Sequence, residues 1–275
     1  MTVQIVTDSA SDLSPALASQ YGIHVAPLHV QFGDETFADG RTISPELFYQ
    51  KMRASKELPK TSQPTPHDMM TAYREALQAG PVIGIHVSSK LSGTYQTAVM
   101  TAGMVHQSIE VFDSLSGSGG LAKMAVTAAQ MAQAGATVQE ILAGLEQMRA
   151  TTQVLVGLNT LENAVKGGRV SPLAGFAATL LGVKPIVHVK DGLVIPFDKV
   201  RGRGRMIDRL VEVAAERCQD WSGRLVWVNH GLAEAEAQAL AERIRQEFRP
   251  KEVFVGPIGA AIGTYAAEGA MALSF

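Results

Sequence analysis

The chain has 275 residues, with 24 Lys+Arg against 26 Asp+Glu and a formal net charge of −2, so it lacks the basic excess of a mainly electrostatic nucleic-acid binder. Hydrophobic residues make up 46% and charged residues 18%, which gives enough apolar content for a sizeable core and too much for a disordered chain. Aromatics at 6% argue against base-stacking platforms, and the single cysteine, Cys218, excludes an internal disulfide or a thiolate-rich metal site.

The N-terminus, Met1 to Asp8, has no basic stretch followed by an apolar one, so no signal peptide is expected. Leu91 to Ile109 and Gly256 to Ala267 carry little charge. Hydroxyl residues interrupt the first and glycines the second, so neither reads as the ~20 apolar residues of a membrane span. A soluble, cytoplasmic protein is the expectation.

Val3 to Val6 reads as a strand. Ser14-Pro15, Ser44-Pro45 and Thr65-Pro66 each read as a helix start, with a hydroxyl to accept from early helical N–H groups and a proline at the first helical position. Pro81 to Val87 is a buried strand, Gly93 to Val105 a helix, and Ser108 to Asp113 another strand. Leu121 to Ala134 and Thr137 to Arg149 are helices parted by Gly135. Alternating strands and helices predict an α/β domain with a mainly parallel sheet and flanking helices. The pattern then changes. Val154 to Leu158 is a strand, Thr160 to Lys166 a short helix, and Val183 to Val200 a hairpin turning at Asp191-Gly192. Helices at Met206 to Arg217 and Ala233 to Phe248 alternate with strands at Arg224 to Val228 and Lys251 to Val255. This part reads as α+β. Residues 1–155 and 156–275 are the expected domains, with a ligand in the cleft between them.

Five segments offer chemistry. Asp8, Ser9 and Asp12 follow the first strand, where parallel sheets gather ligands, and they equally suit a hydrogen-bonded turn. Thr61 and Ser62 lie in a proline-stiffened loop with no capping duty, either as hydroxyl donors or as a plain polar loop. Ser92 and Gly93 stand at a helix N-terminus, a seat for an anion or an ordinary serine cap. Arg169 lies between Gly167-Gly168, which end one helix, and Ser171-Pro172, which start the next; it offers a planar donor fork or is a surface arginine. Arg201, Arg203 and Arg205 form a basic patch for a phosphate or an acidic partner, or else a solvated loop. His86 and His188 sit in apolar strands as core groups, whereas His230 ends a strand where it could face a cleft. No Gly-x-Ser-x-Gly elbow, His-Glu-x-x-His motif, P-loop or full dinucleotide fingerprint is present. No cofactor or metal is expected.

Taken in order, Thr7-Asp8-Ser9, Thr61-Ser62-Gln63-Pro64, Ser88-Ser89 with Leu91-Ser92-Gly93-Thr94, Asp113-Ser114, Lys166-Gly167-Gly168-Arg169, Val183-Lys184-Pro185-Ile186 and Ile262-Gly263-Thr264 resemble the DegV family along nearly the whole chain. The resemblance implies a two-domain α/β protein holding one long-chain fatty acid, in some members the fatty-acid-binding subunit of bacterial fatty acid kinase. Such a protein is a carrier, not an enzyme. It presents the acyl carboxylate to a separate ATP-dependent kinase subunit and then carries the acyl phosphate. It needs no nucleic acid and no membrane span, though transient membrane contact is compatible with it. By position, Thr61, Ser92 and Gly93 match the carboxylate site, and Arg169 and Arg201 match positions near the head group or the kinase-docking face. Tyr265 stands where the family has a histidine beside the carboxylate; its phenol donates a hydrogen bond but stays neutral near pH 7. The small-residue stretches Ala174 to Gly182 and Gly256 to Ala267 suit walls around an acyl tail, or close core packing. The competing readings are a phosphoryl- or acyl-transfer enzyme on a small amphiphile, using His230 or Tyr265 with Asp8 or Asp113, and a binding module for another hydrophobic anion.

Overall fold

The computed structural model describes residues 2–106, 108–170 and 182–275. β1 (Gln4–Asp8) passes through a 3-10 turn into α1 (Pro15–Tyr21) and β2 (Ile23–Ala26). β3 (His29–Phe32), β4 (Glu35–Ala38), α2 (Pro45–Ala54) and β5 (Lys60–Ser62) follow as an excursion. α3 (Pro66–Leu77), β6 (Val82–His86), α4 (Thr94–Val105), β7 (Ile109–Asp113), α5 (Gly119–Gln133) and α6 (Val138–Thr151) complete this part. The order β2-β1-β6-β7 is parallel throughout, as the alternation predicts, and β4-β3-β5 is a separate antiparallel sheet. The three Ser/Thr-Pro starts behave as their chemistry dictates. Ser14, Ser44 and Thr65 accept from the N–H groups of Leu17, Leu47 and Asp68.

The remainder runs β8 (Val154–Gly157), α7 (Glu162–Lys166), β9 (Val183–Lys190), β10 (Leu193–Arg201), α8 (Arg203–Arg217), β11 (Leu225–His230), α9 (Glu234–Phe248), β12 (Glu252–Pro257), α10 (Ala260–Ala266) and β13 (Met271–Ser274). Its sheet order is β10-β9-β8-β13-β11-β12, antiparallel except for β11 with β12. The β9–β10 turn forms at Asp191-Gly192, both with positive φ, as the Asp-Gly pair predicts.

Three expectations are corrected, and one strand is added. Lys60–Ser62 is a strand, not a loop, because its backbone pairs with His29–Gln31. Arg203 and Arg205 are not in a turn: they open α8 and pair with Glu236 and Glu212. His188 is only half-buried, with its ring 5.2 Å from that of Phe197. β13, unread in the sequence, is a central strand buried at all four positions, so it has no apolar–polar alternation to betray it. The helix start expected at Ser171-Pro172, and the stretch from Ala174 up to Gly182, lie outside the described residues.

α5 is buried along most of its length and packs against β1 and β6 on one side and β11 and β13 on the other. One core therefore runs from Ile5, Ile83 and Ile85 through Leu121 to Trp227 and Phe254. Gly119 lets helix and strand approach, since a methyl there would clash with Trp227. A second core lies under α8 and α9, with Trp221 stacked on Phe248 at 4.4 Å.

Candidate functional site

In the parallel sheet, β2 lies on one side of β1 and β6 on the other. That reversal opens a crevice at the carboxyl ends of the strands. A cavity of about 410 Å³ lies there, within the ~300–1,000 Å³ usual for small-molecule sites. Ala10, Val87 and Gly117 close it from the parallel-sheet side. Val156, Val187 and Val194 of the antiparallel sheet, with Ile258 and Ile262 around α10, form an apolar wall. The stretch 256–267 thus does line a cavity.

Polar groups gather at one end. Thr61 Oγ1 lies 2.5 Å from the Tyr265 hydroxyl. The Arg169 guanidinium sits 4.7 Å from the Tyr265 ring centre and donates to Gly167 O at 2.7 Å and Leu91 O at 3.3 Å. Ser92 and Gly93 follow Leu91 directly and also line the cavity. Two glycines make this possible: a side chain at Gly167 would strike the Tyr265 ring, and one at Gly93 the Gln63 amide. Ser92 is not the cap of α4. Gly93 holds that position with no side-chain cap, while Ser92 Oγ pairs with Thr94 Oγ1 at 2.8 Å. Thr61, Ser92, Gly93, Arg169 and Tyr265 therefore meet, although up to 204 residues separate them. Arg201 is exposed at the end of β10 and does not line the cavity.

Of the groups of the enzyme reading, Tyr265 lines the cavity, but His230, Asp8 and Asp113 do not join it. His230 accepts from Ala233 N–H at 3.2 Å, and Asp113 accepts from Ser89 and Leu115 N–H at 3.1 Å each. Asp8 accepts from Ala10 and Val87 N–H and meets His86, which in turn meets Tyr73; this chain is fully buried. None of the three lines the cavity, and Asp8 serves the turn and the core instead.

Two supports act from a distance: Asp12, a candidate in sequence for a ligand site or a turn, and Asp39, which the sequence reading did not single out. Asp12 accepts from Gly259 N–H at 2.8 Å and Ser118 O–H at 2.5 Å, and Asp39 accepts from Ala260 and Ala261 N–H. Together they clamp the start of α10, the helix that carries Tyr265. Burial pushes the Asp12 carboxyl up to about 8 against the pull of those hydrogen bonds, and it raises Asp39 in the same sense. Asp39 stands in an Asp-Gly turn, and no local signal links it to a helix 221 residues on. Among the described residues no helix is long and apolar enough to cross a membrane, and no three His, Cys, Asp or Glu side chains are grouped to hold a metal ion.

The class defined by this geometry is an α/β protein with a largely apolar cavity between its two larger sheets and one polar end. The model of the family described as "Uncharacterised protein, DegV family" matches residues 2–275, and the chain belongs to that family. A DegV domain-containing protein of Halalkalibacterium halodurans is 35% identical, with 99% of this chain and 98% of the relative covered. Among solved structures, DegV of Bacillus subtilis, described as a fatty acid binding protein, superimposes with a TM-score of 0.89 at 32% identity over 100% of this chain and 98% of that one. The fatty acid kinase B3 protein of Streptococcus pneumoniae, solved with linoleic acid, gives a TM-score of 0.87 over 100% and 99%; at 22% identity it speaks for the fold alone.

Proposed function

We propose that the chain carries one long-chain fatty acid. The acyl tail lies along the valine wall, and the carboxylate meets Thr61, Ser92, Gly93 and Tyr265. The observation that carries this reading is the asymmetry of the cavity, which is apolar except where hydroxyls and an arginine meet. A tail of about 15 methylene and methyl groups gains up to ~12 kcal/mol at ~0.8 each before ordering costs. Affinity therefore comes from the tail, and the hydroxyls need only satisfy the head. The fatty-acid-binding description of the B. subtilis relative agrees with this assignment.

The second part of the proposal is the role. The chain, acting in the cytoplasm and without catalysis of its own, presents the carboxylate to a separate ATP-dependent kinase subunit and carries the acyl phosphate formed. Residues 1–155 and 156–275 act as its two domains, and Arg169 and Arg201 serve the head group or the docking face. That role rests on the resemblance carried by the chain's own motifs; the S. pneumoniae fatty acid kinase protein adds a shared fold.

Calorimetric titration with saturated acids from C8 to C20 tests the reading. Affinity is expected to climb with length until the cavity is full, then fall. A flat series means that the tail stays in water, and the carrier reading fails.

A further inference from the structure

A second cavity, of about 350 Å³, lies where the loop after β7 and the end of α6 meet the tip of the β9–β10 hairpin. Its character is opposite to that of the first. Arg149, Lys190 and Arg217 line it with His188, and Asp191 is the one carboxylate in the described lining. The cations come from three different elements, α6, the β9–β10 hairpin and α8, so no single amphipathic face accounts for them. Arg149 is held by Asp113 O at 3.0 Å, by Glu146 and against the Phe112 ring. Arg217 is held by Gln153 at 2.9 Å and against the Phe197 ring. Neither Arg217 nor Lys190 forms an ion pair with a carboxylate among the described residues.

Two hydroxyl residues close the floor of the cavity. Ser116, only 4% exposed, and Thr152 both line this cavity, and both oxygens are buried without a hydrogen-bond partner. Both oxygens are shielded from the open space, with Ser116 Oγ lying against Gly120, so these residues form the floor of the cavity and leave its ligand-facing surface to the cations. His188 agrees: burial lowers its pKa, and Arg217 and Lys190 lower it further, so it joins the site as a neutral imidazole.

We propose that this cavity binds the phosphoryl group of a small phosphate monoester, gripped by Lys190 and Arg217 beside Arg149. A phosphoryl dianion matches Lys190 and Arg217, which have no carboxylate partner among the described residues, beside an Arg149 that is paired with Glu146, and guanidinium forks suit its oxygens. The space, about 350 Å³, leaves room for the organic part of a monoester beside its phosphoryl group. Val154 and Val189 line both cavities, so this site backs directly onto the apolar one while sharing none of its head-group residues.

Calorimetry on the full chain with glycerol 3-phosphate and with inorganic phosphate, against chloride at equal ionic strength, tests the assignment. The His188 ring resonances report the location. The monoester is expected to bind saturably at one site, more tightly than inorganic phosphate, and to shift the His188 signals along the same curve. Lys190→Gln with Arg217→Gln, both exposed side chains, should weaken it by about tenfold or more while leaving fatty-acid binding unchanged. Equal or tighter binding of inorganic phosphate overturns the monoester assignment. An absence of saturable binding, or a double variant that binds as the parent does, overturns the site.

Discussion

Tyr265 and Thr61 share a short hydroxyl contact at the mouth of an apolar cavity, and an arginine lies flat against the tyrosine ring. An incoming carboxylate can replace each hydroxyl's partner with a charged acceptor, which is worth ~1.5–3 kcal/mol per bond. Thr61→Val combined with Ser92→Ala is expected to weaken fatty-acid binding by roughly 2–4 kcal/mol, since water recovers part of the loss. Unchanged affinity in a titration removes these residues from the site. Elsewhere, Lys123 on α5 is 6% exposed and pairs with no carboxylate among the described residues; burial, then Arg224, pushes its ammonium down to about 8. Its folded pKa lies below the unfolded value of 10.5, so the unfolded chain binds the extra proton between pH 8 and 10.5. Stability rises with pH across that window and keeps its full penalty below it. Lys123→Met should therefore stabilise the protein at pH 7 by about 2–3 kcal/mol and abolish the rise above pH 8, as measured by urea unfolding. A destabilised variant at pH 7 would show that the ammonium is satisfied.

At the scale of elements, α10 is held by the two aspartates that receive its first N–H groups. Asp12 titrates near 8 folded and near 3.8 unfolded. Between those values the folded state holds the extra proton, so this group's contribution to stability is full below pH 3.8 and is lost as pH rises toward 8. The stability of the parent relative to Asp12→Asn should fall between pH 4 and 8, with a slope approaching 1.4 kcal/mol per unit, and flatten above. A difference independent of pH would mean that Asp12 is ionised throughout. This window lies below that of Lys123, so the two effects separate in one series. What the sequence reveals follows the same division by range. The starts of α1, α2 and α3 are legible because the cap and its acceptor lie within three residues. β5 is not, since three polar residues become a strand only when β3 arrives beside them. The clamp of Asp39 on α10 is equally silent in sequence.

At the scale of the whole molecule, α5 joins the two sheets into one core, so the cavity walls cannot move far apart without exposing Leu121 and Trp227. Alternating strands and helices reveal the parallel sheet and hence the crevice, and the candidate residues Thr61, Ser92, Arg169 and Tyr265 do converge on it. The valine wall was not legible, because Val156, Val187 and Val194 look like any strand residues until the sheet turns one face to the cavity. Native mass spectrometry of the protein as purified, with lipid extraction of the same sample, tests the central claim most directly. The account predicts one long-chain fatty acid for each chain, released on denaturation. A chain of unadorned mass that also takes up no fatty acid when one is supplied would contradict it.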